Sequence, residues 1–131
     1  NFEGPSGPSL QYAPARAVNI LRRGGGAPTG YDPALLTLPE EQALVRQVAK
    51  LPTVIDDALA QNEPSLVSRF LLDLAAAFSR WYTLGNQERD KRVLVEDNEP
   101  VRAARLALTD AVRVTLASGL TLLGVPTPEN M

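Results

Sequence analysis

The sequence predicts an all-α protein, a helical bundle of about five helices, and three observations carry that expectation. Apolar residues recur at steps of three and four, most clearly at Val67, Phe70, Leu71, Leu74, Phe78, Trp81 and Tyr82, which is the spacing of one helical face and not of a strand. No stretch alternates apolar and polar residues between turn signals, as a half-buried strand would. Pro and Gly fall mostly at the ends of the periodic stretches, where they start and stop helices. The 131 residues, 44% of them apolar, suffice for one domain with its own core.

Residues 1–8 hold two Gly and two Pro and read as an extended lead-in. A first helix runs from Leu10 to Arg23, with Tyr12, Ala15, Val18 or Asn19, and Leu21 or Arg22 near one stripe. Pro14 removes an N–H donor and crowds the preceding turn, so this helix either begins near Ala13 or is kinked. Gly24-Gly25-Gly26 ends it, and the turn-rich residues 27–38 read as a surface loop. Pro39-Glu40-Glu41 opens a second helix, with Pro at the first position and acid in the first turn. Its apolar stripe is Leu44, Val45, Val48 and Leu51. Pro52 ends it and starts a short third helix carrying Val54, Ile55, Ala58 and Leu59.

Asn62-Glu63-Pro64 breaks the chain again, and the clearest amphipathic helix follows, to about Leu84. Residues 85–97 form a charged connection with a small apolar plug, Val93-Leu94-Val95. Asn98 is a candidate N-cap for a last long helix that reaches about Ser118, with Gly119 or Gly124 as its stop. Its exposed stripe reads Arg102, Arg105, Thr109 and Arg113.

Composition removes several kinds of chemistry. With no Cys and no His, the chain cannot build a thiolate nucleophile, a disulfide framework, a Cys/His zinc site or a Ser-His-Asp triad. A cysteine-free chain fits a reducing compartment, and no apolar run is long enough for a membrane span. The chain starts at Asn1 with neither a signal pattern nor an initiator Met, which suggests a piece of a longer polypeptide. Thirteen basic against fifteen acidic residues give a net charge of −2, unlike a generic polyanion binder. Eleven of the thirteen are Arg, the cation that forks onto phosphate and stacks on rings.

The carboxylates Asp56-Asp57, Asp73, Glu96-Asp97 and Asp110 fall on polar faces or in loops, where a solvated surface explains them better than acid–base work. The Gly24-Gly25-Gly26 run lacks the Lys-Ser/Thr of a phosphate loop. No residue here is catalytic. Two sets suit single-stranded RNA, whose bases stack on rings while Arg holds the backbone. One is aromatic: Tyr12, Phe78, Trp81 and Tyr82. The other is Arg16, Arg22, Arg23, Arg69, Arg80, Arg102, Arg105 and Arg113. By spacing alone, Phe78 and Trp81 are core residues first, and Arg102, Arg105 and Arg113 are a solvated helix face first.

Several segments in order carry a resemblance. They are Gly7-Pro8 followed by Leu10-Gln11-Tyr12-Ala13 and Ala15-Arg16, then Glu63-Pro64, Leu71-Leu72-Asp73-Leu74-Ala75, and Phe78 with Tyr82. Arg102-Ala103-Ala104-Arg105-Leu106-Ala107-Leu108, Leu120, Leu122-Leu123-Gly124 and the closing Pro128-Glu129-Asn130-Met131 complete them. In their conjunction and spacing they resemble the C-terminal DALR anticodon-binding domain of the arginyl-tRNA synthetase family, over nearly the whole chain. The resemblance implies an all-α domain at residues 9–131, preceded by the tail of a catalytic-domain junction at 1–8. It also implies that the chain binds the anticodon stem-loop of arginine tRNA. By the same resemblance Tyr12, Arg16, Phe78, Tyr82 and the terminal Met131 face the anticodon. Two positions depart from the family pattern: Ser9, where an aromatic is common, and Pro14, where a non-Pro residue is usual.

The family's catalytic core carries His- and Lys-based signatures that this chain lacks. The resemblance therefore implies a ligase active site elsewhere in the polypeptide, served by ATP and Mg, with cytoplasmic location and no DNA or membrane partner. A stand-alone helical interaction module without RNA binding is the alternative, favoured by the net charge, Ser9 and Pro14. A related domain of another synthetase, such as a glycyl enzyme subunit, fits the Gln-Tyr-x-x-x-Arg start and the Pro-Glu-Asn-Met end less well.

Overall fold

A computed structural model describes residues 8–125. Residues 1–7 and Met131, both given roles by the resemblance, lie outside the described residues. Five α-helices follow one another: α1 (Pro8–Arg23), α2 (Pro39–Ala49), α3 (Leu51–Gln61), α4 (Ser65–Gln87) and α5 (Glu99–Leu122), with single 3-10 turns at Pro33–Leu35 and Arg89–Lys91. Helix α4 is the hub. It packs on every other helix, while α1 lies mainly along α5 and α2 bridges α4 and α5.

The helix ends follow from local chemistry. Helix α2 opens on Pro39, and the Glu41 carboxylate turns back to accept the Leu38 N–H at 3.1 Å, one half of a capping box. At α5, the Asn98 side chain accepts the Val101 N–H at 3.3 Å, leaving fewer orphan donors in the first turn. Both long Gly-terminated helices end in the same way. Gly26 N–H reaches Leu21 C=O at 2.7 Å after α1, and Val125 N–H reaches Leu120 C=O at 2.9 Å after α5. Gly25 and Gly124 supply the positive φ that this Schellman closure requires. Gly124 is therefore the stop, and α5 runs straight through Gly119.

Gly119 has a packing role instead. A Cβ there would lie 2.5 Å from a Leu71 methyl, so the missing side chain lets α5 press onto α4. The α4 stripe is buried as its period predicts: Val67, Phe70, Leu71, Leu74, Phe78 and Trp81 all belong to the core. Phe78 and Trp81 meet in a tilted pair with centroids 6.1 Å apart, within the range at which buried rings attract one another. The plug also behaves as expected, with Val93 and Val95 buried.

Two sequence expectations are corrected. Helix α1 starts at Pro8 and continues through Pro14, and its inward face is Leu10, Ala13, Pro14, Ala17, Ile20 and Leu21. The expected stripe through Tyr12 and Ala15 faces solvent. The helical period holds but its phase differs, because α1 turns the smaller apolar residues Leu10, Ala13 and Ala17 towards α5 and α4 and leaves the Tyr12 ring outside. The Arg102–Arg113 stripe of α5 is not an exposed one. Arg105 and Thr109 are buried, while Arg102 and Arg113 are half-buried and pair with Glu99 and Asp110 one turn away.

Arg105 is buried because its charge is met. Its Nε donates to Glu41 Oε2 at 2.7 Å, and its Nη1 donates to the Asp90 and Arg92 carbonyls, each at 2.8 Å. The Trp81 indole N–H donates to the same Glu41 oxygen at 3.2 Å. A buried ion pair persists only when its remaining hydrogen-bonding capacity is also used. This one uses it to tie α2, α4, α5 and the segment between α4 and α5 into one network.

Candidate anticodon-binding surface

The inward turn of Leu10, Ala13 and Ala17 forces the opposite face of α1 outward. Tyr12 is consequently 68% exposed, which leaves its ring accessible to a ligand. Arg16 lies one turn further on, on the same face. Its guanidinium carbon sits 4.2 Å from the centre of the Tyr82 ring of α4, within the range of a cation–π contact. Tyr82 is half-buried, so its body joins the core while part of the ring stays accessible. Tyr12, Arg16 and Tyr82 thus form one patch where α1 crosses α4.

Phe78 does not join that patch. It is fully buried, so no ligand can touch its ring in this fold, and the contact role implied for it is corrected. One turn before Tyr82 on α4, it supports the patch from beneath. Spacing had already placed it in the core, and the structure agrees with that reading.

Beyond Tyr82 the same face continues into a cleft of about 200 Å³. Ile20 and Arg23 of α1, Tyr82 and Asn86 of α4, and the 92–94 segment enclose it. Arg92 is anchored at this edge by a 3.0 Å hydrogen bond from its Nε to the Gly85 carbonyl. A Cβ on Gly85 would lie 2.9 Å from the Arg92 Cα, so the glycine is what lets the segment lie against α4. In the sequence Arg23 is one of many arginines, and no spacing singles out Asn86 or Arg92. The one available signal was a glycine near the end of a long helix. Among the described residues no three Asp or Glu side chains gather as a cation site, and none is long and apolar enough as a helix to cross a membrane.

The DALR anticodon binding domain family matches residues 10–131. The chain belongs to that family. Its relatives include the arginine–tRNA ligase of Alkaliphilus metalliredigens, 39% identical over 132 residues covering 100% of this chain. Another, arginine–tRNA ligase 1 of Bacillus thuringiensis, is 41% identical over 99% of the chain. Among solved structures, Thermus thermophilus arginyl-tRNA synthetase superposes with a TM-score of 0.82 at 35% identity over 100% of the chain. The chain spans about 22% of the length of each of these proteins. Within a DALR domain, the Tyr12–Arg16–Tyr82 patch is the exposed aromatic and cationic feature of the α1–α4 face.

Proposed function

We propose that this DALR domain binds the anticodon stem-loop of arginine tRNA and so positions the tRNA for ATP-dependent arginylation by a catalytic domain of the same polypeptide. The observation that carries this reading is the exposed Tyr12 beside the Arg16–Tyr82 pair. It offers a bare ring for a base and a cation for the backbone on one surface, the combination by which unpaired RNA is bound. The family match supports the choice of RNA over a protein partner. The ATP and Mg²⁺ of the reaction belong to the catalytic domain, as does the cytoplasmic setting of the whole enzyme. By the family resemblance we also assign residues 1–8 to the junction with that domain and Met131 to contact with the anticodon.

The test is a titration with anticodon stem-loops. An arginine-tRNA loop should bind more tightly than an unrelated loop, and Tyr12→Ala and Arg16→Ala should each weaken it. Loss of one stacked ring amounts to about 1–3 kcal/mol, and binding should fall steeply with added salt as phosphate contacts are lost. Equal affinity for both loops, with neither substitution having an effect, would overturn the proposal in favour of a helical interaction module.

A further inference from the structure

We infer that the cleft beyond Tyr82 is a second nucleotide subsite, which takes one phosphate of the RNA backbone between Arg23 and Arg92 with its attached nucleotide against Tyr82 and Leu94. This rests on the RNA-binding reading and extends it to residues that reading does not use. Four observations support it. The cleft adjoins the Arg16–Tyr82 pair through the shared Tyr82 side chain. Its volume of about 200 Å³ lies below the roughly 300–1,000 Å³ of sites that enclose a whole small molecule, so it takes the phosphate and part of the nucleotide while the rest of the strand stays outside. No carboxylate lines it, whereas Arg102, Arg105 and Arg113 elsewhere each meet an acid. Its cations are also unspent: among the described residues Arg23 has no hydrogen-bond partner, and Arg92 uses only Nε.

Arg92 is prepared for this task from two directions. Its Nε is fixed on the Gly85 carbonyl and its own carbonyl is held by Arg105, so the main chain and the root of the guanidinium are both placed. The two terminal nitrogens can then meet a phosphate as a fork, the geometry that distinguishes Arg from Lys. Asn86 adds an amide donor and acceptor for a ribose hydroxyl or base edge.

The experiment compares stem-loop affinity and its salt dependence for the wild type, Arg23→Gln, Arg92→Lys and Arg46→Gln, the last an exposed arginine of α2 away from the cleft. Arg23→Gln should raise Kd about tenfold, the effect of one charge-assisted hydrogen bond, and lower the salt slope by about 0.7–0.9. Arg92→Lys should weaken binding although it keeps the charge, and Arg46→Gln should leave Kd within about twofold. A series of stem-loops with single neutral methylphosphonate linkages should contain one position that weakens the wild type but not Arg23→Gln. If Arg23→Gln and Arg92→Lys bind like the wild type while Tyr12→Ala and Arg16→Ala bind worse, the cleft is no subsite and the RNA reading stands. If Arg46→Gln matches Arg23→Gln, a diffuse field replaces the subsite. If Tyr12→Ala and Arg16→Ala also have no effect, the RNA reading itself fails and the cleft inference falls with it.

Discussion

Replacing Arg105 by Met tests whether the buried ion pair holds the bundle together. The substitution keeps an unbranched side chain in the core but leaves Glu41, fully buried, with only the Trp81 and Leu38 N–H groups as partners. It also strips a donor from the Asp90 and Arg92 carbonyls. Breaking one half of a buried pair costs about 3–5 kcal/mol. At about 2.1 cal/mol/K per residue, 131 residues give an unfolding entropy of about 0.28 kcal/mol/K, so Tm should fall by about 10–18 °C. Urea unfolding followed by circular dichroism measures the free energy. The fluorescence of the single tryptophan reports the same network from within, since its indole is bonded to Glu41. The double variant Glu41→Gln/Arg105→Met removes the stranded charge yet keeps an amide oxygen for the indole N–H. It should be more stable than Arg105→Met by about 1–3 kcal/mol. A loss below about 1 kcal/mol in Arg105→Met, or a double variant no more stable than it, would refute the claim that charge compensation holds this site.

Four further outcomes follow from the packing and the surface. Gly119→Ala puts a methyl 2.5 Å from Leu71 and should cost about 1–3 kcal/mol by overpacking, read as a lower urea midpoint at unchanged slope. Phe78→Ala should cost about 3–5 kcal/mol of stability, whereas Phe78→Leu should leave RNA affinity near wild type because the ring reaches no ligand. Tyr82→Ala should show the reverse pattern, a loss of stem-loop affinity of about 1–3 kcal/mol with a smaller change in Tm. Asn98→Ala removes the cap of α5 and should cost about 1 kcal/mol in thermal unfolding.

Features that depend on neighbours in sequence were legible in it. The α4 stripe, the Pro-led starts of α2 and α3, the Asn98 cap and the Val93–Val95 plug all follow from a few adjacent residues. The fates of α1 and Arg105 needed information from afar. A helix with two candidate stripes is phased by what it packs on, and α5 selects the one through Ala17 and Ile20. Arg105 reads as surface until Glu41, 64 residues earlier, arrives beside it, and no periodicity encodes that meeting. The candidate site divides in the same way. Tyr12 and Arg16 are one turn apart and could be paired on paper, and Tyr82 stands among the candidate rings, but its contact with Arg16 across two helices is not written in any spacing. Arg92 enters the cleft only because Gly85 lets its segment lie on α4.

The guanidinium of Arg16, resting on Tyr82 at 4.2 Å, means that one ring of this surface is already occupied before any RNA arrives. A base approaching Tyr12 displaces nothing, while a base seeking that face of Tyr82 must first lift the arginine away. On the proposed RNA-binding reading, Tyr12 is the ring open to a first base, and that face of Tyr82 becomes available only when Arg16 leaves it.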